Sequence, residues 1–553
     1  SEDILAIWKD VLHNNNITEN SNFFEVGGNS YSLMLVSNKI TELLGESVDM
    51  LVMFEYPTVA SFSEYMHLGK KKENSVQETI EEEKVVREVE HNSSEQIDTS
   101  GKIAIIGMAG RFPGASNVDI FWKNIEQGKE SIRHFQREEL LEAGISEELI
   151  ENDEYVKAKG YLDGVEYFDS QFFEITKHDA NMMDPQIRLL LQCCYNAIED
   201  ANIVVDEYQG DIALFAGSSS NLMWMTNFSG ESDIVDVFSE MTANDKDFLT
   251  TQISYKLNLT GPSINVQTAC STSLVAICQA AQCLLNQDAD VALAGGVSVT
   301  LPRKEGYMWH ENMIYSKDGH CRPFSKDASG TVAGNGCGIV VLKPLEKAIE
   351  DKDDIYAVLE GFAINNDGLG KVGYSAPSIT GQKKVIEKAL KRANVSPEKI
   401  GYVETHGTGT KIGDPIELKA LNQAWSINNT KSCALGSVKA NVGHLDAAAG
   451  VAGFIKAVKV MNERVIPPMV NFVEPNEYLY LDSTPFYIPE TEKKLDNRYT
   501  NVAVSAFGIG GTNAHTILGE APKRDKNYRK DEIGLFLFSA KTEQSLRDTY
   551  QAV

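Results

Sequence analysis

The cysteine best placed to do chemistry is Cys270, in the segment NVQTACSTSLVAIC, residues 265 to 278. Small residues surround it, and the spacing predicts a helix from Ser273 through Leu284. At a strand-to-helix turn its sulfur would lie at the positive end of the helix dipole, which favours the thiolate. A thiol so activated suits acyl transfer, because a thioester exchanges with it at little cost in free energy. The alternative is a buried cysteine at the start of a small-residue helix.

Two histidines follow apolar or small residues, at positions where a strand or a turn is expected to end and a loop to begin. His406 lies in VETHGTGTKIGDPIE, where Thr408 and Thr410 can hydrogen-bond locally and fix the loop. His444 lies at a Gly-His turn before a helix rich in Ala and Gly, which requires a neighbouring element to approach closely. Lys439 precedes it by five residues. Taken alone, each histidine has an alternative interpretation as a hydrogen-bonded structural group.

A glycine-rich segment, SAFGIGGTNAHTIL, residues 505 to 518, is the fourth candidate. Gly508, Gly510 and Gly511 let backbone N–H groups approach a ligand closely, as an oxyanion hole requires. The sequence lacks the G-x-G-x-x-G spacing of a dinucleotide site and an acidic residue ~20 positions on. An ordinary glycine-rich turn is the alternative.

The elements that must position these residues alternate between strands and helices from Lys102 onward. Apolar runs that end in Gly or Ser predict buried strands, among them KIAIIGMAGRF, DIALFAGSS, DVALAGGVSVTL, GIVVLKPL and YAVLEGF. The segments MMDPQIRLLLQCCYNAIEDA and GVAGFIKAVKVM predict helices. Because strands and helices recur in both halves, the pattern predicts an α/β fold of layered sheets and helices.

Length and composition narrow the class of protein. A chain of 553 residues is too long for one core, so we expect two or more domains. The net charge of -28 and the pI of about 4.8 disfavour nucleic acid and anionic membranes as partners. An acidic carrier protein would have to bind at a local basic patch. The sequence shows no basic-then-apolar leader and no apolar run near the ~20 residues that a bilayer requires, so we predict a cytoplasmic protein.

The cysteines do not predict a metal site. There are eight, without paired C-x-x-C spacing and without a nearby histidine set at zinc distances. In a chain of this kind most are expected to be buried small hydrophobic residues. Cys270 is the one that the surrounding segment sets apart.

Together and in this order, the four segments resemble the motifs of the beta-ketoacyl synthases of modular polyketide synthases, a branch of the thiolase-like superfamily. The resemblance runs from about Lys102 to Glu520 and includes GMAGRFPGA, MMDPQIRLLL and DGHCRPF. It implies a five-layered αβαβα domain that forms a homodimer. It also implies that the cysteine comes from one half of a duplicated fold and both histidines from the other.

The resemblance implies a role for each segment. Cys270 would accept the acyl chain from a carrier thioester, and His406 and His444 would stabilise the enolate left when a malonyl-type extender loses CO2. The backbone N–H groups of Cys270 and Ile509 would hold the tetrahedral oxyanion, and Lys439 would support the histidine site. The other positions of the active-site loops are Thr408, Thr410, Phe507, Gly508, Gly510 and Gly511.

There are two alternatives to an elongating ketosynthase. A thiolase would use a Cys–His–Cys set, and it is disfavoured because His444 takes the place of the second cysteine. Some polyketide ketosynthases lack one histidine and only transfer or gate the chain, and others replace the cysteine with glutamine and only decarboxylate. Because Cys270, His406 and His444 are all present, the sequence predicts decarboxylative condensation, with transfer alone as the alternative.

A second site is predicted near the N-terminus, in FFEVGGNSYSLMLVSNKI, residues 23 to 40. Ser30 ends a loop and begins a predicted helix, where a serine is ordinarily an N-cap. This short all-α segment, with FEYPTVASFSEYM downstream, nevertheless resembles an acyl or peptidyl carrier protein of four helices. The resemblance implies that Ser30 carries covalent 4'-phosphopantetheine. The Gly-Gly-Asn-Ser form is nearer to peptidyl carriers, which points to a hybrid peptide–polyketide assembly line.

The predicted organisation is a carrier domain at 1–68, a charged flexible linker at 69–100, a ketosynthase at 101–522 and the start of a further linker at 523–553. A carrier ahead of a ketosynthase normally donates its chain to it. The expected partners are therefore acyl-carrier thioesters, a malonyl-type extender on a downstream carrier, other domains of the same megasynthase and a second copy of the chain. The sequence leaves open which acyl chain is accepted, and whether an acyltransferase follows or acts in trans. It also leaves open whether Ser30 delivers to Cys270 of the same chain or of the second copy in the dimer.

Overall fold

The structure is a computed structural model that describes residues 2–28, 30–45, 48, 52–72, 99–226, 234–311, 313–371, 373–427, 431–523 and 538–552. Its strands are β1 (Ile103–Arg111), β2 (Arg133–His134), β3 (Tyr155–Val156), β4 (Ala158–Lys159), β5 (Ile212–Ser218), β6 (Ser263–Asn265), β7 (Val291–Ser298), β8 (Tyr307–Met308), β9 (Gly336–Pro344), β10 (Ala357–Asn366), β11 (Ile400–Glu404), β12 (Cys433–Gly436), β13 (Val465–Ile466), β14 (Phe486–Tyr487), β15 (Lys493–Lys494), β16 (Asn501–Phe507) and β17 (Thr512–Gly519).

The helices of the N-terminal unit are α1 (Glu2–Val11), α2 (Ser30–Leu44), α3 (Val52–Glu55) and α4 (Val59–Lys72). The helices that follow are α5 (Val118–Glu126), α6 (Arg137–Glu142), α7 (Glu147–Ile150), α8 (Lys177–Met182), α9 (Pro185–Asp200), α10 (Leu222–Met225), α11 (Ile234–Asn244), α12 (Leu249–Lys256), α13 (Thr272–Leu285), α14 (Leu345–Glu350), α15 (Ile379–Ala393), α16 (Gly413–Trp425), α17 (Lys439–Val442), α18 (Ala449–Glu463) and α19 (Glu543–Ala552).

The N-terminal helices pack around one apolar cluster. Trp8 of α1 lies edge-on to Phe23, with ring centroids 4.8 Å apart, and both side chains are fully buried. Leu33, Val36 and Ile40 recur at helical spacing and give α2 a buried apolar stripe. The predicted all-α carrier fold of four helices is confirmed.

The edges of the predicted linkers are only partly described. The helix α4 continues to Lys72, four residues past the predicted end of the carrier domain. Most of the predicted first linker, residues 73–98, lies outside the described residues, and so does 524–537 of the predicted second one. The domain boundaries therefore stay predictions.

The largest sheet in the rest of the described chain has eleven strands, in the order β14-β12-β11-β16-β17-β10-β1-β9-β7-β5-β6. The order is a duplication about the antiparallel β1–β10 pair. From this pair outward, each half continues with two antiparallel pairings and then two parallel ones, and β14 adds a further parallel strand to one end. The predicted strands are confirmed as β1, β5, β7, β9 and β10.

Helices complete the layers. The central pair, α13 and α18, contact each other and strands of both halves, whereas α9 and α12 cover the first half and α15 and α16 the second. The close approach of the central pair depends on Gly450, where an added Cβ would come within 2.7 Å of the Leu274 nitrogen. The predicted αβαβα layering is confirmed, and so is the expected close packing of the Ala- and Gly-rich helix.

Candidate active site

The four sequence segments meet where the two halves of the fold adjoin. Cys270 follows β6 and precedes α13, so it belongs to the first half. His406 follows β11, His444 follows α17, and Gly508 follows β16, all in the second half. The ends of these elements therefore bring residues far apart in sequence to one place.

Cys270 lies in a single 3-10 turn, Ala269–Ser271, that runs directly into α13. The turn is held by the Thr268 N–H, which donates to the Thr272 hydroxyl at 3.0 Å, and by the Ser271 hydroxyl, which donates to the Thr268 carbonyl at 3.0 Å. Ala269 has a φ of 54°, a left-handed conformation that is uncommon for a residue with a Cβ. The side chain of Cys270 is therefore held at a tight bend, as expected of a nucleophile at a loop–helix junction.

The protonation state of Cys270 differs from the expectation. Burial, and then the carboxylate of Asp446, raise the pKa of its thiol to about 11, while the charge of Lys439 opposes them. The predicted stabilisation of a resting thiolate by the helix dipole is therefore outweighed by desolvation, because the residue is only 9% exposed. The thiol is therefore protonated at rest.

Two backbone N–H groups converge on the sulfur. The N–H of Ile509, in the glycine-rich loop, and the N–H of Cys270 itself both donate toward it, and both lower the pKa of the thiol. Donors so placed also suit an oxygen that develops negative charge next to the sulfur. These are the two residues that the sequence predicts for the oxyanion hole, and that role stays a prediction.

The glycine-rich loop can reach Cys270 because Gly508 has no side chain. An added Cβ there would overlap the carbonyl oxygen of Thr268, in the turn before the cysteine. The Gly508 N–H donates to the Thr512 carbonyl at 2.9 Å, and Gly510 and Gly511 have φ values of 99° and 88°. The tight turn therefore requires glycine at all three positions.

Substituting Gly508 tests this close approach. We expect Gly508→Ala to slow acylation of the cysteine by roughly 10²-fold or more, because displacing the loop removes one oxyanion donor. The rate is measured by mass spectrometry with a small acyl thioester. The matched control is Gly373→Ala, at a position with no positive φ where an added Cβ meets nothing within 4 Å. Equal rates for the two variants would contradict the requirement.

The backbone of His406 is held by two ionisable side chains. Its N–H donates to the Glu417 carboxylate at 2.8 Å, and its carbonyl accepts from the Lys439 Nζ at 2.5 Å. At the ring, the Phe507 backbone N–H donates to Nδ1 at 3.4 Å. Burial, and then the charge of Lys439 and the ring of His444, hold the pKa of His406 well below its usual range. The imidazole is therefore neutral, and its proton resides on Nε2.

His444 has the same arrangement. The Asp446 backbone N–H donates to its Nδ1 at 3.0 Å, so its proton also resides on Nε2. Burial, with a contribution from Lys439, lowers the pKa of His444 to about 3. The centroids of the His406 and His444 rings are 5.8 Å apart, with the ring planes nearly perpendicular. The site thus holds two neutral imidazoles, each with one N–H available to a ligand.

The loop around His406 is fixed as predicted. The hydroxyls of Thr408 and Thr410 are 3.2 Å apart, and the Thr410 hydroxyl accepts from the Gly413 N–H at 3.2 Å. The Cys321 thiol, in the segment DGHCRPF, donates to the Thr408 carbonyl at 3.6 Å. The ring of Phe507 lies 5.7 Å from that of His406, centroid to centroid. The predicted site residues of the second half are thereby brought together.

Two buried carboxylates were not predicted. Glu417 accepts from the N–H groups of His406 and Gly407, and Asp414 accepts from the Gly409 N–H at 3.2 Å. Burial raises the pKa of both carboxyls to about 7. The sequence did carry a signal, because GDPIE follows the histidine loop directly and places both residues in the first turns of α16, where carboxylates accept backbone N–H groups.

The second site is described only at the backbone. Ser30 is the first residue of α2, as predicted for a loop–helix junction. Within the described residues no group of three or more His, Cys, Asp or Glu side chains could hold a metal ion. In the same part of the chain, no helix combines the length and the apolar character that crossing a membrane requires.

Family profiles match nearly the whole chain. The phosphopantetheine attachment site profile matches residues 2–66. The N-terminal and C-terminal domains of beta-ketoacyl synthase match residues 100–348 and 356–473, and the ketoacyl-synthetase C-terminal extension matches 475–553.

Relatives agree with these matches. The chain is 42% identical over 468 residues to a phenolphthiocerol/phthiocerol polyketide synthase protein of Mycobacterium tuberculosis, an alignment that covers 82% of this chain and 32% of that protein. It is 37% identical over 527 residues to polyketide synthase PksN of Bacillus subtilis, with 93% of this chain and 10% of that protein covered. The chain thus spans at most about a third of the length of these relatives.

A solved structure shares the fold. Ketosynthase twelve from the bacillaene polyketide synthase of Bacillus amyloliquefaciens superposes with a TM-score of 0.73 at 40% sequence identity, covering 76% of this chain and 75% of that chain.

Proposed function

The chain belongs to the beta-ketoacyl synthase family of modular polyketide synthases, with a phosphopantetheine attachment domain ahead of the ketosynthase, and from this premise we propose that it performs decarboxylative condensation. The observation that carries the proposal is the state of the two histidines. Both are neutral, and in both a backbone N–H donates to Nδ1, so both Nε2–H groups are free to donate to an oxyanion.

The first step transfers an acyl group to Cys270. Its sulfur attacks the carbonyl carbon of a carrier thioester, and the oxygen becomes an oxyanion held by the N–H groups of Cys270 and Ile509. The carbon–sulfur bond to the carrier arm then breaks. The proton of the Cys270 thiol passes, in net terms, to the leaving sulfur, so the raised pKa of the resting thiol is no obstacle to the overall exchange.

The second step forms the new carbon–carbon bond. A malonyl-type thioester loses CO2, and the electron pair of the broken bond moves into an enolate whose oxygen accepts from the Nε2–H groups of His406 and His444. The enolate carbon attacks the acyl carbonyl on Cys270, and the cysteine leaves as a thiolate that regains a proton. The products are CO2 and a beta-ketoacyl thioester on the extender's carrier.

The acyl donor is proposed to be the chain's own N-terminal domain. That domain carries a phosphopantetheine attachment site, and Ser30 is the serine that begins α2. The arm on Ser30 would present its thioester to Cys270, and the extender would arrive on a second, downstream carrier.

We also propose that the chain forms a homodimer that pairs at β6, the strand at one end of the sheet, where Ile264 is 48% exposed. A mass of twice the chain mass, measured by light scattering, would support the dimer.

A single-turnover assay tests elongation. The chain is first acylated at Cys270 with a small thioester and is then given a malonyl group on a separate carrier protein. We expect loss of the acyl group from Cys270, release of CO2 and a beta-ketoacyl product on that carrier. Mass spectrometry detects the acyl group on Cys270 and the product on the carrier. Acylation of Cys270 without any beta-ketoacyl product would contradict elongation and leave chain transfer as the function.

A further inference from the structure

The carrier domain rests on a particular part of the ketosynthase. The helix α3 contacts α15, which covers the outer face of the second half. Tyr478, in the segment between β13 and β14 of the ketosynthase, packs against the carrier's apolar cluster. The carrier therefore contacts the second half of the ketosynthase at α15 and at Tyr478.

The two surfaces carry opposite charge. Between residues 2 and 66 the carrier has ten acidic residues against two lysines. The helix α15 reverses this balance, with four lysines and an arginine against Glu387 alone. Lys384, Lys388 and Lys391 are exposed and follow one helical face at spacings of four and three, which we call the lysine face. In a chain with a net charge of -28 such a cluster is a local exception.

The lysine face is not explained by the stability of its own helix. Among the described residues, Glu387 pairs with Lys383 at 3.6 Å, and no ion pair within 4.0 Å involves the three lysines of the face. A helix dipole favours cations in the last turn, which accounts for Lys391. It offers nothing to Lys384, which lies in the second turn. The charge is therefore available to a partner.

The start of α15 lies directly beside the catalytic loops. An added Cβ at Gly381, in the first turn, would overlap the carboxylate of Asp367, and the Asp367 N–H donates to the Gly511 carbonyl at 3.0 Å. On the other side Ile379 packs with Ile412 and Ile416, at the end of the loop that holds His406. A carrier bound along α15 is thus adjacent to both loops of the site.

We propose that the lysine face is the docking surface for the chain's own acidic carrier domain during transfer from Ser30 to Cys270. The part of this proposal that concerns delivery of the acyl group to Cys270 rests on the proposed function, whereas binding of the carrier at the lysine face does not. Charge attraction of this kind acts at long range, increases the frequency of productive encounters and weakens as salt screens it. The dock holds the carrier where the arm can enter between the two catalytic loops.

The test uses the full chain, with a butyryl-phosphopantetheine arm loaded on Ser30 from butyryl-CoA by a phosphopantetheinyl transferase. In the triple variant Lys384→Glu, Lys388→Glu, Lys391→Glu we expect transfer to Cys270 to fall about tenfold at low salt. The difference should shrink near ~0.5 M salt, where the screening length falls to a few ångströms. Acylation of Cys270 by a small butyryl thioester, which bypasses the carrier, should not change.

The matched control reverses three exposed lysines on other helices, Lys123, Lys177 and Lys347, and should leave transfer unchanged. Equal transfer in the wild type and the triple variant would overturn the dock. A loss confined to reaction with the separate malonyl carrier would overturn it too, since the surface would then serve that carrier.

Small-angle scattering gives a readout that needs no transfer. We expect the triple variant to have a larger maximum dimension than the wild type at low salt, and the control variant to match the wild type. Identical dimensions in all three would contradict docking at the lysine face. Failure of Cys270 to accept butyrate from either donor, with the scattering difference present, would instead count against the proposed function.

Discussion

Replacing Cys270 by alanine should abolish acylation while leaving decarboxylation in place. Without the sulfur no acyl-enzyme can form, and we expect the rate of acyl transfer to fall by more than about 10⁴-fold. The histidines follow β11 and α17 in the other half of the fold, and their backbone partners do not involve the cysteine side chain. A malonyl-carrier should therefore still lose CO2, seen as conversion to acetyl-carrier by mass spectrometry.

The matched control for this substitution lies on the same helix. Cys283 belongs to α13, is buried and has a pKa raised by that burial, so Cys283→Ala changes a thiol without changing the turn that holds Cys270. We expect normal acylation and normal condensation from it. If Cys270→Ala still became acylated in the same peptide region, another residue would have to be the nucleophile.

The sequence predicted the fold because local patterns and global fold agree. The run KIAIIGMAGRF became β1 with every residue but its last buried, as a strand covered on both faces must be. The Ala- and Gly-rich segment became α18, whose glycine at position 450 meets α13. The strand order was beyond the residues alone, because pairing depends on contacts between segments hundreds of positions apart. The family resemblance implied the αβαβα layering and the duplication, and the strand order itself comes from the structure.

The electrostatics of the site were the least predictable part. The small residues around Cys270 suggested an activated thiolate, whereas burial raises its pKa to about 11. Burial is a property of the folded whole, and the helix-dipole argument used only the local segment. Glu417 was missed for a related reason. Its carboxylate accepts the backbone N–H groups of His406 and Gly407, so its role depends on how the start of α16 folds back onto the histidine loop, and the segment GDPIE was only an indirect signal of that contact.

Replacing His444 by alanine should produce the opposite separation of the half-reactions. Cys270 should still accept the acyl group, since the N–H groups that face its sulfur come from Cys270 and Ile509. Decarboxylation should slow by roughly 10²- to 10³-fold, the usual cost of removing one donor from an oxyanion site. Acylation is measured by intact-mass spectrometry, and CO2 release is measured by a coupled assay. The control is His178→Ala, on the exposed surface of α8.

The variant His444→Gln separates a donor role from a charge role. Glutamine supplies a neutral N–H donor, so it should recover part of the decarboxylation rate if the wild-type imidazole acts while neutral. The pKa of about 3 keeps His444 uncharged throughout pH 5 to 8, so this rate should not rise on acidification through the usual histidine range near 6.5. A rate that increased below pH 6.5 and was not restored by glutamine would show that an imidazolium is required. The two-neutral-donor mechanism would then be wrong.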